Sequence, residues 1–177
     1  MLSILNKVRL RPSKGFLIQA TTAGALAFAG DAICQLAVEK AETLDVQRSL
    51  KFGLIVTCFS APIQFQWFKL LERRVHSSSK VVTGLKRMAL DQAVAAPILT
   101  SAFIFVLQLV NGHSVDYALN RLRTNFFPVM TTNYKVWPAV QFLNMSLIPL
   151  QYRVVFVNFI AVFWNIYLSS KVASSSE

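Results

Sequence analysis

Long uncharged runs alternate with short basic segments along the chain. Five runs are almost free of charge: residues 16–38, 52–68, 92–112, 136–152 and 154–170. Asp31 is the single charged residue in the first run, and Arg153 alone separates the last two. Because about 20 mostly apolar helical residues cross a bilayer core of roughly 30 Å, the pattern predicts several transmembrane helices.

We therefore predict an all-α fold, a polytopic membrane helical bundle in which residues 1–177 form a single integral membrane domain. Four transmembrane helices are expected, with five as the alternative. The expected spans are about 16–38, 50–70 and 90–112, followed by one within 130–170. Pro138 and Pro149 make residues 136–152 the poorer straight helix, whereas residues 154–170 end in Trp164 and Tyr167, which are typical of interfacial anchors.

Composition excludes a soluble domain. The chain is 54% hydrophobic and 15% charged, with a mean hydropathy of +0.48, whereas soluble proteins contain roughly 25% charged residues. Too few charges remain to cover a water-facing surface, and the same hydrophobicity excludes a disordered chain. The two cysteines are too few for a secreted disulfide scaffold.

Basic residues are concentrated in the loops and give a net charge of +10. They cluster before the first run and between the second and third: Lys7, Arg9, Arg11, Lys14, Lys69, Arg73, Arg74, Lys80, Lys86 and Arg87. The positive-inside rule predicts that these two regions share one side of the membrane. We expect the excess charge to set topology and to contact anionic lipid, and we expect no direct contact with nucleic acid.

The first fifteen residues contain four basic groups and no acid. This composition is typical of a mitochondrial targeting region. A cationic flank that orients the first span explains the pattern equally well.

Four polar side chains in or beside the uncharged runs are candidates for a pore or another polar intramembrane site: Asp31, Gln35, Asp91 and Gln92. An unpaired carboxylate in a membrane is costly, so Asp31 should face the bundle interior or water. It lies on or beside a stripe of small residues that lets a neighbouring helix approach closely: Ala20, Ala23, Gly24, Ala27, Gly30 and Cys34. Asp31 therefore either lines a solute path or clamps that helix contact, and Asp91 either lines a path or caps the membrane interface.

Pro62 and Pro97 are expected to kink the second and third spans, because proline removes a helical hydrogen bond and clashes with the carbonyl four residues earlier. The freed carbonyls would be those of Cys58 and Ala93. Freed carbonyls suit a cavity that water enters, although kinks also serve packing alone. After Ser114, the pattern predicts a short amphipathic connector helix of about 12 residues.

The sequence offers no catalytic or metal-binding constellation. His76 and His113 are far apart and have no acidic or cysteine partner arranged near them. Cys34 and Cys58 lack metal-ligand spacing, and we interpret both as small packing residues. We therefore expect no enzyme activity, no metal and no cofactor.

An ordered set of motifs runs along the whole chain. The last third contains W-P-x-x-Q-x-x-N at residues 137–144 and W-N-x-Y-L-S at residues 164–169. Earlier motifs are Gly30-Asp31 with Gln35, Asp45 with Arg48 and Gly53, Pro62 with Trp67 and Leu71, and Asp91-Gln92 with Pro97. This set resembles the Mpv-seventeen family of small organelle membrane proteins. The further motif residues are Trp137, Pro138, Gln141, Asn144, Pro149, Arg153, Trp164, Asn165 and Tyr167.

The resemblance implies a multi-pass protein of the mitochondrial inner membrane, with the peroxisomal membrane as the alternative. It also implies channel-like passage of small solutes or metabolites and a link to mitochondrial homeostasis and mitochondrial DNA maintenance. A non-conducting scaffold is the alternative function. The expected partners are the lipid bilayer, small solutes and, if the chain forms a homo-oligomer, further copies of itself. Arg48 is placed to pair with Asp45, and Arg153 with a phosphate headgroup, Asp31 or Asp91.

Overall fold

The computed structural model describes the backbone of residues 14–174 and the side chains of residues 14–163. Five long helices follow one another: α1 (Lys14–Val38), α2 (Val46–Arg74), α3 (Lys80–Val110), α4 (Val115–Leu147) and α5 (Arg153–Ser174). A 3-10 turn, Leu150–Tyr152, precedes α5, and the described residues contain no strand. The predicted all-α bundle is confirmed. Residues 1–13, most of the predicted targeting region, lie outside the described residues.

Three helices, α1 to α3, are long and apolar enough to cross a membrane. They overlap the predicted spans at about 16–38, 50–70 and 90–112, and the third helix begins ten residues before its predicted span. The fourth predicted span, within 130–170, falls on the end of α4 and on α5, where Leu150–Phe163 is a shorter apolar segment. The side chains of Trp164, Asn165 and Tyr167 lie outside the described residues.

The kinks expected at Pro62 and Pro97 take the form of π turns, and the helices continue through them. One π turn, Val56–Ser60, comes just before Pro62, and another, Asp91–Ala95, comes just before Pro97. A third π turn, Cys34–Val38, ends α1. Proline has no N–H and crowds the carbonyl of the preceding turn, and a locally wider turn accommodates both effects without ending the helix.

The π turn in α3 changes which carbonyl lies opposite Pro97. The N–H of Ala96 reaches back to the carbonyl of Asp91, so the next carbonyl, that of Gln92, faces the proline that has no N–H. This carbonyl accepts a hydrogen bond from Tyr134 Oη of α4 at 3.0 Å. The predicted position was the carbonyl of Ala93, and the wider turn moves it by one residue, to Gln92.

The amphipathic segment after Ser114 begins as predicted but is not a separate connector. Ser114 Oγ accepts a hydrogen bond from the N–H of Tyr117 at 3.2 Å, and the helix then continues for 33 residues, through Pro128 and Pro138. Prolines are tolerated in membrane helices where neighbouring groups satisfy the freed backbone. Residues 136–152, predicted to be the poorer straight helix, are therefore helical as far as Leu147.

The five helices form two groups, with α1 packed against α2 and α5, and α3 packed along α4. The small-residue stripe of α1 is buried in its contacts, which confirms the predicted close approach. A Cβ added at Gly24 would lie 2.8 Å from the carbonyl oxygen of Gly53 in α2. The first group is therefore tightly packed, and a cavity remains between it and the second.

Candidate functional site

A cavity of about 280 Å³ lies between the two helix groups and is lined by residues from all five helices. Much of its wall is apolar, including Phe52, Phe68, Leu99 and Phe103. Its polar lining residues are Ser60, Gln64, Asp91, Gln92, Thr100, Asn133, Trp137, Gln141 and Asn158. A largely apolar cavity with a few convergent polar groups is the usual form of a small-molecule site, and this cavity is the candidate functional site.

The carboxylate of Asp91 is the charged group of the cavity wall. Trp67 Nε1 donates to Oδ1 at 2.8 Å, and Gln92 Nε2 donates to Oδ2 at 2.9 Å. Gln141 lines the same cavity, and its Oε1 atom accepts from Asn144 Nδ2 at 3.0 Å. Donors from α2 and α3, Trp67 and Gln92, therefore hold the buried Asp91 carboxylate.

Asp91 has no cationic partner within residues 14–163. Arg87 lies one helical turn earlier in α3, but its guanidinium donates to Glu72 of α2. A buried carboxylate that is held by neutral donors is expensive to keep ionised in an apolar surrounding. Within a membrane protein, such a group marks a functional site by default.

A second polar cluster joins the end of α1 to the start of α2 around Asp31. Asp31 Oδ2 accepts from Gln35 Nε2 at 2.8 Å and from Ser49 Oγ at 2.7 Å. Asp31 Oδ1 accepts from Arg48 Nε at 3.1 Å. Asp31 and Gln35 are buried but are not among the residues that line the cavity, so the geometry matches a clamp between two helices.

Arg48 does not form the predicted ion pair with Asp45. Its main-chain N–H donates to Asp45 Oδ1 at 2.9 Å, so Asp45 caps α2. Its guanidinium contacts Asp31 and binds both carboxylate oxygens of Glu39, at 2.7 and 2.8 Å. These hydrogen bonds hold the pKa of Glu39 below its usual range. Helix packing brings the carboxylates of Asp31 and Glu39 within reach of the guanidinium. The Asp45 side chain instead accepts a hydrogen bond from the backbone.

A third cluster joins α2, α3 and α5 through one carboxylate. Glu72 Oε2 accepts from Arg153 Nη1 at 2.7 Å and from Arg87 Nη1. Arg153 also donates to the carbonyl oxygens of Ile148 and Met145, at 2.9 and 3.3 Å. Two of the three expected alternatives for Arg153, a pair with Asp31 and a pair with Asp91, are therefore wrong. Arg153 lies at the start of α5, beside the end of α2, where Glu72 is the acid within reach.

The structure sorts the candidate residues from the sequence into these clusters. Asp91 and Gln92 lie together with three motif residues, Trp67, Gln141 and Asn144, and Trp137 also lines the cavity. Sequence reasoning did not single out Glu72, Ser49 or Asn158. Asn158 could have been found, because it is a polar residue within an apolar run. Glu72 lies among basic residues, and nothing in the sequence distinguishes it.

The fold and the buried polar clusters define a multi-pass α-helical membrane protein with an internal cavity that is lined by apolar side chains and a few polar groups. Residues 108–169 match the Mpv17 / PMP22 family. The chain is 36% identical to the mitochondrial inner membrane protein Mpv17 of Xenopus laevis, over 94% of this chain and 95% of that protein. The chain therefore belongs to the Mpv17 / PMP22 family.

Other relatives come from fungi and mammals. The chain is 35% identical to the protein SYM1 of Mycosarcoma maydis, over 99% of this chain and 89% of that protein. It is 33% identical to peroxisomal membrane protein 2 of Bos taurus, over 94% of this chain and 86% of that protein. No solved structure matches the chain. The predicted localisation, the mitochondrial inner membrane with the peroxisomal membrane as the alternative, agrees with these relatives.

Proposed function

We propose that this chain is a channel-like membrane protein that passes small solutes through the cavity between its five helices, without a catalytic step. The observation that carries the proposal is the cavity wall, which combines polar residues of α2, α3, α4 and α5 with the Asp91 carboxylate. Polar groups in a membrane interior are costly, and they are usually retained along solute or ion paths. The single-chain cavity suits small solutes, and larger ones would require a helix rearrangement or an oligomer.

Planar-bilayer conductance of the purified protein tests this proposal. We expect defined conductance steps from the wild type and a lower ratio of cation to anion permeability in Asp91→Asn. Asp116→Asn is the matched control, because it makes the same chemical change on an exposed residue of α4 and should leave the ratio unchanged. A silent bilayer, from protein shown to be folded and inserted, would overturn the proposal.

The second candidate function is a non-conducting scaffold. It is favoured by the Asp31 and Glu72 clusters, which tie helices together without lining the cavity. A scaffold predicts that substitutions on outward-facing polar residues reduce the recovery of partner proteins after gentle detergent extraction. Normal recovery together with conductance steps would favour the channel.

We further propose that passage of small solutes supports mitochondrial homeostasis and, indirectly, mitochondrial DNA maintenance. The support is the membership of the family and the similarity to mitochondrial inner-membrane relatives. In cells that lack the protein, we expect a lower mitochondrial DNA copy number, restored by the wild type and by Asp116→Asn but not by Asp91→Asn. Equal rescue by all three proteins would show that mitochondrial DNA maintenance does not depend on the Asp91 carboxylate of the cavity.

A further inference from the structure

Several hydrogen-bond donors in and beside the cavity wall are directed into the protein. Gln92 Nε2 and Trp67 Nε1 donate to Asp91. Asn133 Nδ2 donates to Thr100 Oγ1 at 3.4 Å, and Asn158 Nδ2 donates to the carbonyl of Val154 at 2.8 Å. Each of these four nitrogens therefore already donates to an acceptor within the protein.

The acceptors on the same wall include two that have no partner. Gln92 is 8% exposed, and its Oε1 atom is buried without a hydrogen bond. Gln64 Oε1 is buried and unpartnered in the same way. The Asp91 carboxylate fixes the orientation of the Gln92 amide, because the nitrogen must face the negative charge and the oxygen must then point away from it. An unpaired buried acceptor costs about 1–3 kcal/mol, and a donor brought by a solute would remove that cost.

The charged groups in and around the cavity also favour a solute that donates hydrogen bonds, and one that is positively charged. Asp91 is negative, and the guanidinium groups of Arg87 and Arg153 converge on Glu72, outside the cavity lining. A carboxylate has about four lone-pair sites, of which Trp67 and Gln92 occupy two. About two sites on the carboxylate therefore remain for a solute, and the unpartnered oxygens of Gln64 and Gln92 belong to residues of the same cavity wall.

The rest of the wall is apolar and aromatic. Phe68, Phe103, Ile104 and Trp137 line it, and aromatic faces attract cations. At about 280 Å³, the cavity is slightly below the range of roughly 300–1,000 Å³ that is usual for drug-sized ligands. A phosphorylated solute would bring negative charge to a wall whose charged group is a carboxylate, so it does not fit the sign of the charge.

We propose that this cavity is a binding site for small organic cations that carry a primary ammonium group on a short apolar chain. The N–H donors of the ammonium complement the Asp91 carboxylate and the unpartnered amide oxygens of Gln92 and Gln64, and the chain packs against the aromatic wall. The inference rests on the proposed function, because it names the class of solute that the channel would take up.

Equilibrium binding to the purified full-length protein in detergent tests the site without measuring transport. Four probes separate charge from donors: n-butylammonium has both, tetramethylammonium has charge without donors, 1-butanol is neutral with one donor, and butyrate is an anion. Binding is followed by calorimetry and by the fluorescence of the tryptophans, since Trp137 lines the cavity and Trp67 contacts Asp91. Protein-free micelles provide the blank.

We expect n-butylammonium to bind at least tenfold more tightly than each of the other three probes. Equal affinity for all four, tighter binding of butyrate, or no binding of n-butylammonium would overturn the proposal. This comparison uses the wild-type protein, so it stands even if a variant fails to fold.

Two variants locate the site. Asp91→Asn should weaken n-butylammonium binding at least tenfold, and Gln64→Leu should weaken it severalfold while leaving the donors to Asp91 in place. Asp116→Asn should bind as the wild type does. Unchanged affinity in folded Asp91→Asn would place the cation elsewhere. Binding without conductance would refute the channel and keep the site, whereas conductance without binding would refute the site and keep the channel.

Discussion

Tyr134 of α4 donates its hydroxyl hydrogen to the carbonyl of Gln92 in α3, with an O–O distance of 3.0 Å. The carbonyl lies opposite Pro97, which has no N–H to offer, because the N–H of Ala96 bonds the carbonyl of Asp91 across the π turn. A side chain from one helix thus satisfies a backbone group that proline leaves open in another. The same contact holds α4 beside the two cavity residues Asp91 and Gln92.

Tyr134→Phe should therefore destabilise the protein modestly. Hydrogen bonds between membrane helices contribute about 0.6 kcal/mol on average, and an unsatisfied buried carbonyl costs about 1–3 kcal/mol, so we expect a loss of about 1 kcal/mol. The free energy of unfolding, measured by titrating folded protein in mixed micelles with SDS, checks the value.

A double-mutant cycle identifies the partner of this hydroxyl. Pro97→Ala restores an N–H to α3, so Tyr134→Phe should cost little in that background. Pro62→Ala restores an N–H at the corresponding place in α2 and is the matched control, in which Tyr134→Phe should keep its full cost. The same cost in both backgrounds would show that the hydroxyl acts through a group other than the one that Pro97 leaves open.

The fold class was predictable because its signal is local. Each apolar run is long enough to span a membrane, and a charged residue within such a run, such as Asp31, must be buried in the bundle whatever its neighbours are. The position of Asp31 in the interior followed from this alone, whereas Asp91 lies just before its run, so a position in the interior and a position at the membrane interface were both expected.

The partners of these residues were not predictable, because they depend on how the helices pack. Arg153 pairs with Glu72, 81 residues away in sequence, and nothing local distinguishes Glu72 from other acids near basic residues. The carbonyl opposite Pro97 could not be assigned either, since a π turn shifts it by one residue and sequence spacing assumes a regular helix. The continuity of α4 through Pro138 likewise depends on neighbours that satisfy its backbone.

Gly24→Ala should destabilise the contact between α1 and α2. The added Cβ would lie 1.8 Å from Thr57 Oγ1 and 2.8 Å from the carbonyl oxygen of Gly53, and the backbone oxygen cannot rotate away. Overpacking costs about 1–3 kcal/mol, and we expect a loss in that range by the same unfolding titration.

Gly15→Ala is the matched control for this substitution. A Cβ at Gly15 has no atom within 4 Å, and alanine favours helix by about 1 kcal/mol over glycine in a helix interior, so stability should be unchanged or slightly higher. Equal losses at both positions would refute close approach as the reason for glycine at position 24.

Glu72→Gln should destabilise the protein more than the loss of an exposed carboxylate does. Arg87 and Arg153 are 5% and 4% exposed and share this one acid, so its removal leaves two buried guanidinium groups without a counter-charge. Breaking a buried pair costs about 3–5 kcal/mol, and because the Glu72 side chain is 40% exposed we expect about 3 kcal/mol or slightly less.

Thermal unfolding in detergent measures this loss, with Glu42→Gln as the control on an exposed glutamate. The control should unfold at the wild-type temperature. In a variant that combines Glu72→Gln with Arg153→Gln, the two losses should not add, because the second change removes one of the stranded charges. Strict additivity would mean that the two side chains do not interact.

Asp31→Asn should lower stability and leave conduction unchanged. The carboxylate accepts from Arg48, Gln35 and Ser49, and an asparagine would present an N–H group to at least one of these donors and lose the ion pair. Removing hydrogen bonds to a charged group costs about 1.5–3 kcal/mol each, so a loss of at least about 2 kcal/mol is expected.

The cation-to-anion permeability ratio of the surviving folded protein should match the wild type, because Asp31 does not line the cavity. Asp91→Asn should show the reverse profile, with altered selectivity and a smaller loss of stability. Altered selectivity in folded Asp31→Asn protein would instead show that Asp31 lies on the solute path. Solutes would then need a second route past the end of α1.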